Sequence, residues 1–83
     1  MRATNRKMQI VSQDGLRVMD YTGAYCKVGT NGRYILLAQL PNGHGIPMGE
    51  YSERTVVKSI LYEIAYHAGN GKTVYELPED HRF

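Results

Sequence analysis

An 83-residue chain with a formal charge of +2 and one cysteine, Cys26, is the size of one small domain. It can form neither an internal disulfide nor a cysteine-based zinc cluster. Its longest apolar run, "YILLA", is far short of the ~20 residues that cross a bilayer.

Turn signals divide the first fifty residues. Asp14-Gly15, Asn31-Gly32 and Asn42-Gly43 are dipeptides that accept positive φ in tight hairpins. "KMQIVSQ" alternates, with Met8 and Ile10 on one face and Gln9, Val11 and Gln13 on the other. "LRVMDY" sets Leu16 and Val18 against Arg17 and Met19, and "AYCKV" places Ala24, Cys26 and Val28 together. "RYILLAQL" is apolar on both faces, which predicts a central strand covered on both sides. "IPMGEY" follows, and Pro47 confines that strand to an edge or keeps it short.

The period then changes. Val56, Val57, Ile60, Leu61, Ile64 and Ala68 recur at steps of three and four, which predicts an amphipathic helix over about residues 53–68. Ser52 stands where an N-cap belongs, Glu53 in the first turn, and Gly69 where the chain leaves the helix left-handed. "TVYEL" reads as a closing strand stopped by Pro78. The predicted fold is α+β: an antiparallel sheet of four to five strands, in β-β-β-β-(β)-α-β order, with one helix packed on one face. The whole chain, 1–83, forms a single domain with loose ends at 1–6 and 79–83.

Gly71-Lys72-Thr73 carries the last letters of the phosphate loop of nucleotide triphosphatases. That loop needs a glycine where this chain has Tyr66, and it needs a strand before it and a helix after it. Here the order is helix, glycine turn, strand, so the glycines serve the helix end and no bound phosphate is expected.

No catalytic set emerges. His44, His67 and His81 fall in a turn, on the helix and in the tail, without metal-ligand spacing. Glu63 and His67 are four apart and suit a surface pair. Cys26 reads as a small apolar core residue, and the carboxylates are dispersed. The expectation is a non-enzymatic protein with no catalytic residues, no metal and no cofactor.

Two surfaces stand out instead. Arg54, Lys58, Tyr62 and Tyr66 follow at steps of four and form a ladder away from the apolar stripe. Interleaved cations and aromatics are what partner-binding surfaces use. Val11, Met19, Ile35 and Leu37 cannot all lie under one helix, so they predict an apolar sheet face and self-association through it, as a homo-oligomer. The basic start, Arg2, Arg6 and Lys7, with the helix ladder, offers an alternative: a small nucleic-acid-binding regulator.

The stretches "MQIVSQDG", "MGEYSERTVVKSILYEI" and "GKTVYELPED" resemble a group of small uncharacterised proteins of Firmicutes phages and prophages. They cover about half the chain; "AYCKVGTNGRYILLAQLPNGHGIP" departs from it. The resemblance implies a phage-linked accessory protein and carries no site residue. Such proteins are frequently inhibitors of host anti-phage defence, which block a host protein or sequester a signal nucleotide. A lone thiol suits a reducing compartment, and "MRATNRKMQ" lacks the apolar stretch of a secretory signal. The expected setting is the host cytoplasm, away from membranes.

Overall fold

Three hairpins are closed by one local device. In the computed structural model, which describes residues 7–80, the side-chain oxygens of Asp14, Asn31 and Asn42 accept the backbone N–H groups of Leu16, Arg33 and His44, each at 3.0 Å. The glycine between takes φ of 76° at Gly15, 80° at Gly32 and 92° at Gly43, a region where a Cβ would be strained. The N–H groups of Gly32 and Gly43 donate back to the carbonyls of Gly29 and Leu40. The loops ending at Gly32 and Gly43 are three-residue loops with a glycine bulge. At the first turn the Ser12 hydroxyl donates to Asp14 at 2.6 Å. That bond, and then the Leu16 N–H, holds the Asp14 carboxyl below its usual range.

The element order is as expected, but the strands form two sheets rather than one. β1 (Gln9–Val11) lies between β2 (Val18–Asp20), antiparallel, and β6 (Val74–Glu76), parallel. β4 (Tyr34–Gln39) lies between β3 (Ala24–Val28) and β5 (Gly45–Tyr51), both antiparallel. β4 is thus the central strand that its two apolar faces predicted. β5 is an edge strand, and at seven residues the longest of the six described.

Pro47 explains where the sheet breaks. The Leu40 N–H bonds the His44 carbonyl, and pairing alternates along the antiparallel ladder. Pro47, opposite Leu37, therefore has its ring nitrogen turned away from β4. It costs that ladder nothing, but it denies a donor to any strand on the other side. No strand pairs there among the described residues. Gln13 does so alone: its N–H donates to the Met48 carbonyl at 2.8 Å. Its side-chain amide accepts the Glu50 N–H at 3.0 Å and donates to the Glu50 carbonyl at 3.1 Å.

A register shift between Leu36 and Leu37 pairs them with Gly49 and Pro47 and leaves Met48 over as a bulge. Met48 and Tyr51, an odd number of residues apart, would otherwise face opposite sides. With the bulge both enter the core, Met48 3 % and Tyr51 0 % exposed. The core joins Ile10 of β1, Leu36 and Ala38 of β4, and Tyr75 of β6 to Val57, Ile60 and Ile64 of the helix.

The helix, α1 (Arg54–Gly69), buries the predicted stripe, with Val56, Leu61 and Ala68 partly buried against the core. Both of its ends differ from expectation. Glu53 is the N-cap residue, without a side-chain capping bond, and no acid lies in the first turn. Ser52 is drawn away: its N–H and hydroxyl both donate to Asp80, at 3.1 and 3.3 Å. At the other end Gly69 is still helical, and the left-handed residue is Gly71, φ 80°. The Lys72 N–H reaches the His67 carbonyl and the Gly71 N–H that of Ala68, a glycine-closed helix end. Lys72 thus lies against a row of helix carbonyls, an environment that repels anions.

Residues 1–6 and 81–83, expected to be loose, lie outside the described residues. Residues 79 and 80 were expected to be loose as well, yet Asp80 is clasped. Besides Ser52 it accepts Arg33 Nη2 at 3.1 Å, while Arg33 Nε meets Glu50 at 2.7 Å. The Asp80 side chain is 11 % exposed, so its deletion leaves sheltered donors without an acceptor. Asp80→Ala should cost on the order of 2 kcal/mol in denaturant unfolding. Glu79→Ala, at the exposed neighbour, should stay within about 0.5 kcal/mol.

Candidate functional site: the outer face of the helix

Steps of four along α1 keep side chains on one slowly turning face, and the burial of Val57, Ile60 and Ile64 fixes which face looks outward. All four residues of the predicted ladder, Arg54, Lys58, Tyr62 and Tyr66, are exposed. Tyr62 keeps 70 % and Tyr66 67 % of its surface, and no hydrogen bond to either hydroxyl is formed among the described residues. Arg54 and Lys58 form no ion pair there either; Arg33 holds both pairs, with Glu50 and Asp80. The face thus offers two aromatic rings and two cations whose charges are not answered within the described fold.

The flank toward β6 is aromatic as well. His67 stands between two rings, 5.4 Å from Tyr66 in an edge-on arrangement and 5.7 Å from Tyr75. The surface pair of Glu63 with His67 is not formed. Glu63 instead accepts the Tyr75 hydroxyl at 2.7 Å, because β6 brings that hydroxyl beneath the helix. Burial, and then the bond to Glu63 and its charge, push the Tyr75 hydroxyl far above the usual tyrosine range.

On the opposite flank α1 faces β3 across a groove of about 250 Å³ lined by Cys26, Arg54, Val57, Lys58 and Leu61. Cys26 is only partly buried. Burial raises its thiol pKa, against a smaller pull downward from the Arg54 charge, so it is a neutral thiol. Sequence reasoning missed this groove, since it depends on β3 being an outer strand, which periodicity does not reveal.

The second predicted surface is not an open face. Leu37 is 4 % exposed, covered by Tyr25 of the neighbouring strand. That ring reaches across to Gly45, where a Cβ would collide with its hydroxyl. Met19 packs against the core. Val11 and Ile35 are half-buried, and Ile35 lines a cleft beneath the β1–β2 turn with Gln13, Arg17 and Pro47. The β1–β2 turn and Tyr25 cover what one helix cannot, which removes the sequence argument for self-association through this face.

His44 is exposed in its turn; His81, Arg2 and Arg6 lie outside the described residues. Among the described residues no three His, Cys, Asp or Glu side chains are grouped to hold a metal ion. No helix there is long and apolar enough to cross a membrane. No protein-family model, curated protein or solved structure matches the chain.

Proposed function

We propose that the protein acts by binding, as a non-enzymatic accessory protein of phage or prophage origin whose working surface is the outer face of α1. The partner in this reading is a protein of the host, most fittingly one of its anti-phage defences, and the setting is the host cytoplasm. The observation that carries the reading is the exposure of Tyr62 and Tyr66, 70 % and 67 %, beside Arg54 and Lys58. Large tyrosine rings add to stability only when they are covered. Two of them kept in water beside two cations suit an interface, where Tyr and Arg are enriched among hot spots. The resemblance of "MQIVSQDG", "MGEYSERTVVKSILYEI" and "GKTVYELPED" to phage and prophage proteins supports the origin.

The test is a double change, Tyr62→Ala with Tyr66→Ala, made in a tagged chain expressed in a Firmicutes host. Folding stability should move by no more than about 0.5 kcal/mol, as for exposed sites. A host protein that co-purifies with the wild type should be lost, since truncating a hot spot costs about 2 kcal/mol or more. Retention of the same proteins by both forms would place the working surface elsewhere. Native mass spectrometry of the same material separates the other readings. A bound nucleotide would point to sequestration of a signal, and bound nucleic acid to the regulator reading.

A further inference from the structure

The outer edge of β3 is a row of backbone groups with a groove beside it. Among the described residues β3 pairs with β4 only. The Gly29 N–H bonds the Arg33 carbonyl, and the Gln39 N–H bonds the Gly23 carbonyl. Between these two bonded pairs the register runs Val28–Tyr34, Lys27–Ile35, Cys26–Leu36, Tyr25–Leu37, Ala24–Ala38. Bonded and non-bonded pairs alternate in an antiparallel ladder, so Lys27 and Tyr25 spend their N–H and C=O groups on β4. Those of Ala24, Cys26 and Val28 point outward, and no described strand takes them. Charged edges, bulges and covering loops are how proteins usually blunt such a template. Here the one charge on β3, Lys27, falls on the face away from the helix, β3 has no register shift, and Val28 is 63 % exposed.

The side chains of the same three residues lie on the helix side of the sheet, where Ala24 and Cys26 pack against the core. An extended segment laid along β3 would drop alternate side chains into the groove between Cys26, Val57 and Leu61. Its rim would meet Arg54 and Lys58, which have no ion pair among the described residues. We infer that the β3 edge and the adjoining α1 groove are a docking site for an extended acidic peptide of a partner protein, which adds as a fourth strand and places apolar side chains in the groove and carboxylates against Arg54 and Lys58. This inference rests on the reading of α1 as a binding surface, since Arg54 and Lys58 serve both.

Charge selects this occupant over the others at hand. A second copy paired edge to edge would bring its own Arg54 and Lys58 to the same seam, and like charges there repel. Residues 1–6 and 81–83 contain Arg2, Arg6 and Arg82 and no Asp or Glu, so they do not complement the rim. Strand addition with main-chain bonds for affinity and alternate pockets for specificity is an established recognition mode.

The experiment uses the full chain and a display library of random peptides long enough to form a strand. The enriched sequences should alternate apolar residues with Asp or Glu, and the bound peptide should shift the amide resonances of Ala24, Cys26 and Val28. N-methylation of the peptide amides that face β3 should abolish binding. Arg54→Glu with Lys58→Glu should weaken it about tenfold or more. Val28→Pro removes one outward donor at an edge where proline is tolerated; should that variant fail to fold, the N-methylated peptide makes the same test. Leu16→Ala, on the exposed β1–β2 turn, should leave peptide affinity within about twofold, as expected of a residue away from the contact. Peptide binding that leaves the β3 amides unshifted would overturn the strand-addition site. Absence of enrichment, enrichment of basic or unpatterned peptides, or a concentration-dependent dimer that shifts the same β3 amides would each overturn the inference.

Discussion

Tyr51→Ala should remove a large share of the stability of the fold. A domain of this size is stable by about 4–12 kcal/mol, and emptying a buried aromatic site costs about 3–5 kcal/mol. Tyr51 is 0 % exposed and belongs to the core cluster. Its hydroxyl donates to the Pro78 carbonyl at 2.7 Å, which ties the segment after β6 to β5. Tyr51→Phe keeps the ring and should cost only about 1 kcal/mol at neutral pH.

The pair also has a signature in alkali. Burial, and then the Asp80 charge, push the Tyr51 hydroxyl up from 10.0 to about 12. A folded-state pKa raised above the unfolded value favours the protonated native form. The corresponding stability is complete below about pH 10 and is lost as pH rises toward about 12. Tyr75 adds a loss of the same sign from its own raised pKa. The stability gap between wild type and Tyr51→Phe should therefore narrow, or reverse, from pH 7 to pH 11.5 in denaturant titrations. A gap that widens would mean that Tyr51 is not sheltered as described.

Gln13→Glu should be the most damaging change of a single side-chain group at the seam between the sheets. The Gln13 amide reads the Glu50 backbone at both ends, accepting its N–H and donating to its carbonyl, with a longer reach of 3.5 Å to the Pro78 carbonyl. A carboxylate keeps the first bond and sets a negative oxygen against two carbonyls. Leaving such groups unsatisfied costs about 1–3 kcal/mol, and more when a charge is involved. Gln13→Ala should lose about 1–3 kcal/mol at all pH values. Gln13→Glu should lose more at pH 7 and recover as the pH falls through the carboxyl range, because protonation restores a donor. The sign follows from repulsion, which raises the folded-state pKa, so the penalty is absent at low pH and grows as pH rises. Hydrogen exchange at the Glu50 amide should be faster in Gln13→Ala and near the wild-type rate in Gln13→Glu, which retains that acceptor.

What could be read from the residues was whatever local spacing decides. The three Asx-Gly turns, the central position of "YILLAQ", the edge position of the Pro47 strand and the α1 stripe all follow from neighbours a few residues apart. The single sheet did not hold, because its division depends on which way the Pro47 nitrogen points and on Met48 being an extra residue in its strand. The caps were displaced for a similar reason. Ser52 is recruited by Asp80, far along the chain, and the helix runs on through Gly69 to close at Gly71. Of the candidate surfaces, the helix ladder was legible because i, i+4 spacing places it by itself. The apolar face was misread because Tyr25 and the β1–β2 turn cover Leu37 and Ile35, and no periodicity announces such a cover. The β3 edge was invisible for want of strand order.

The parallel alignment of β1 with β6 sets the order in which a chain emerging from the ribosome can complete itself. Gln9 and Val74 are register partners, so β1 waits for β6, with four strands and the helix made between them. β3, β4 and β5 can pair as soon as each hairpin is synthesised, while Ile10 and the Tyr51 ring await the arrival of Tyr75 and Pro78. Closure over so many intervening residues is the slow kind of folding step, and α1 must already lie between them as the crossover. A nascent chain that has not yet exposed Val74 leaves the β1–β2 hairpin without its third strand. In that interval the protein is most open to proteases and chaperones.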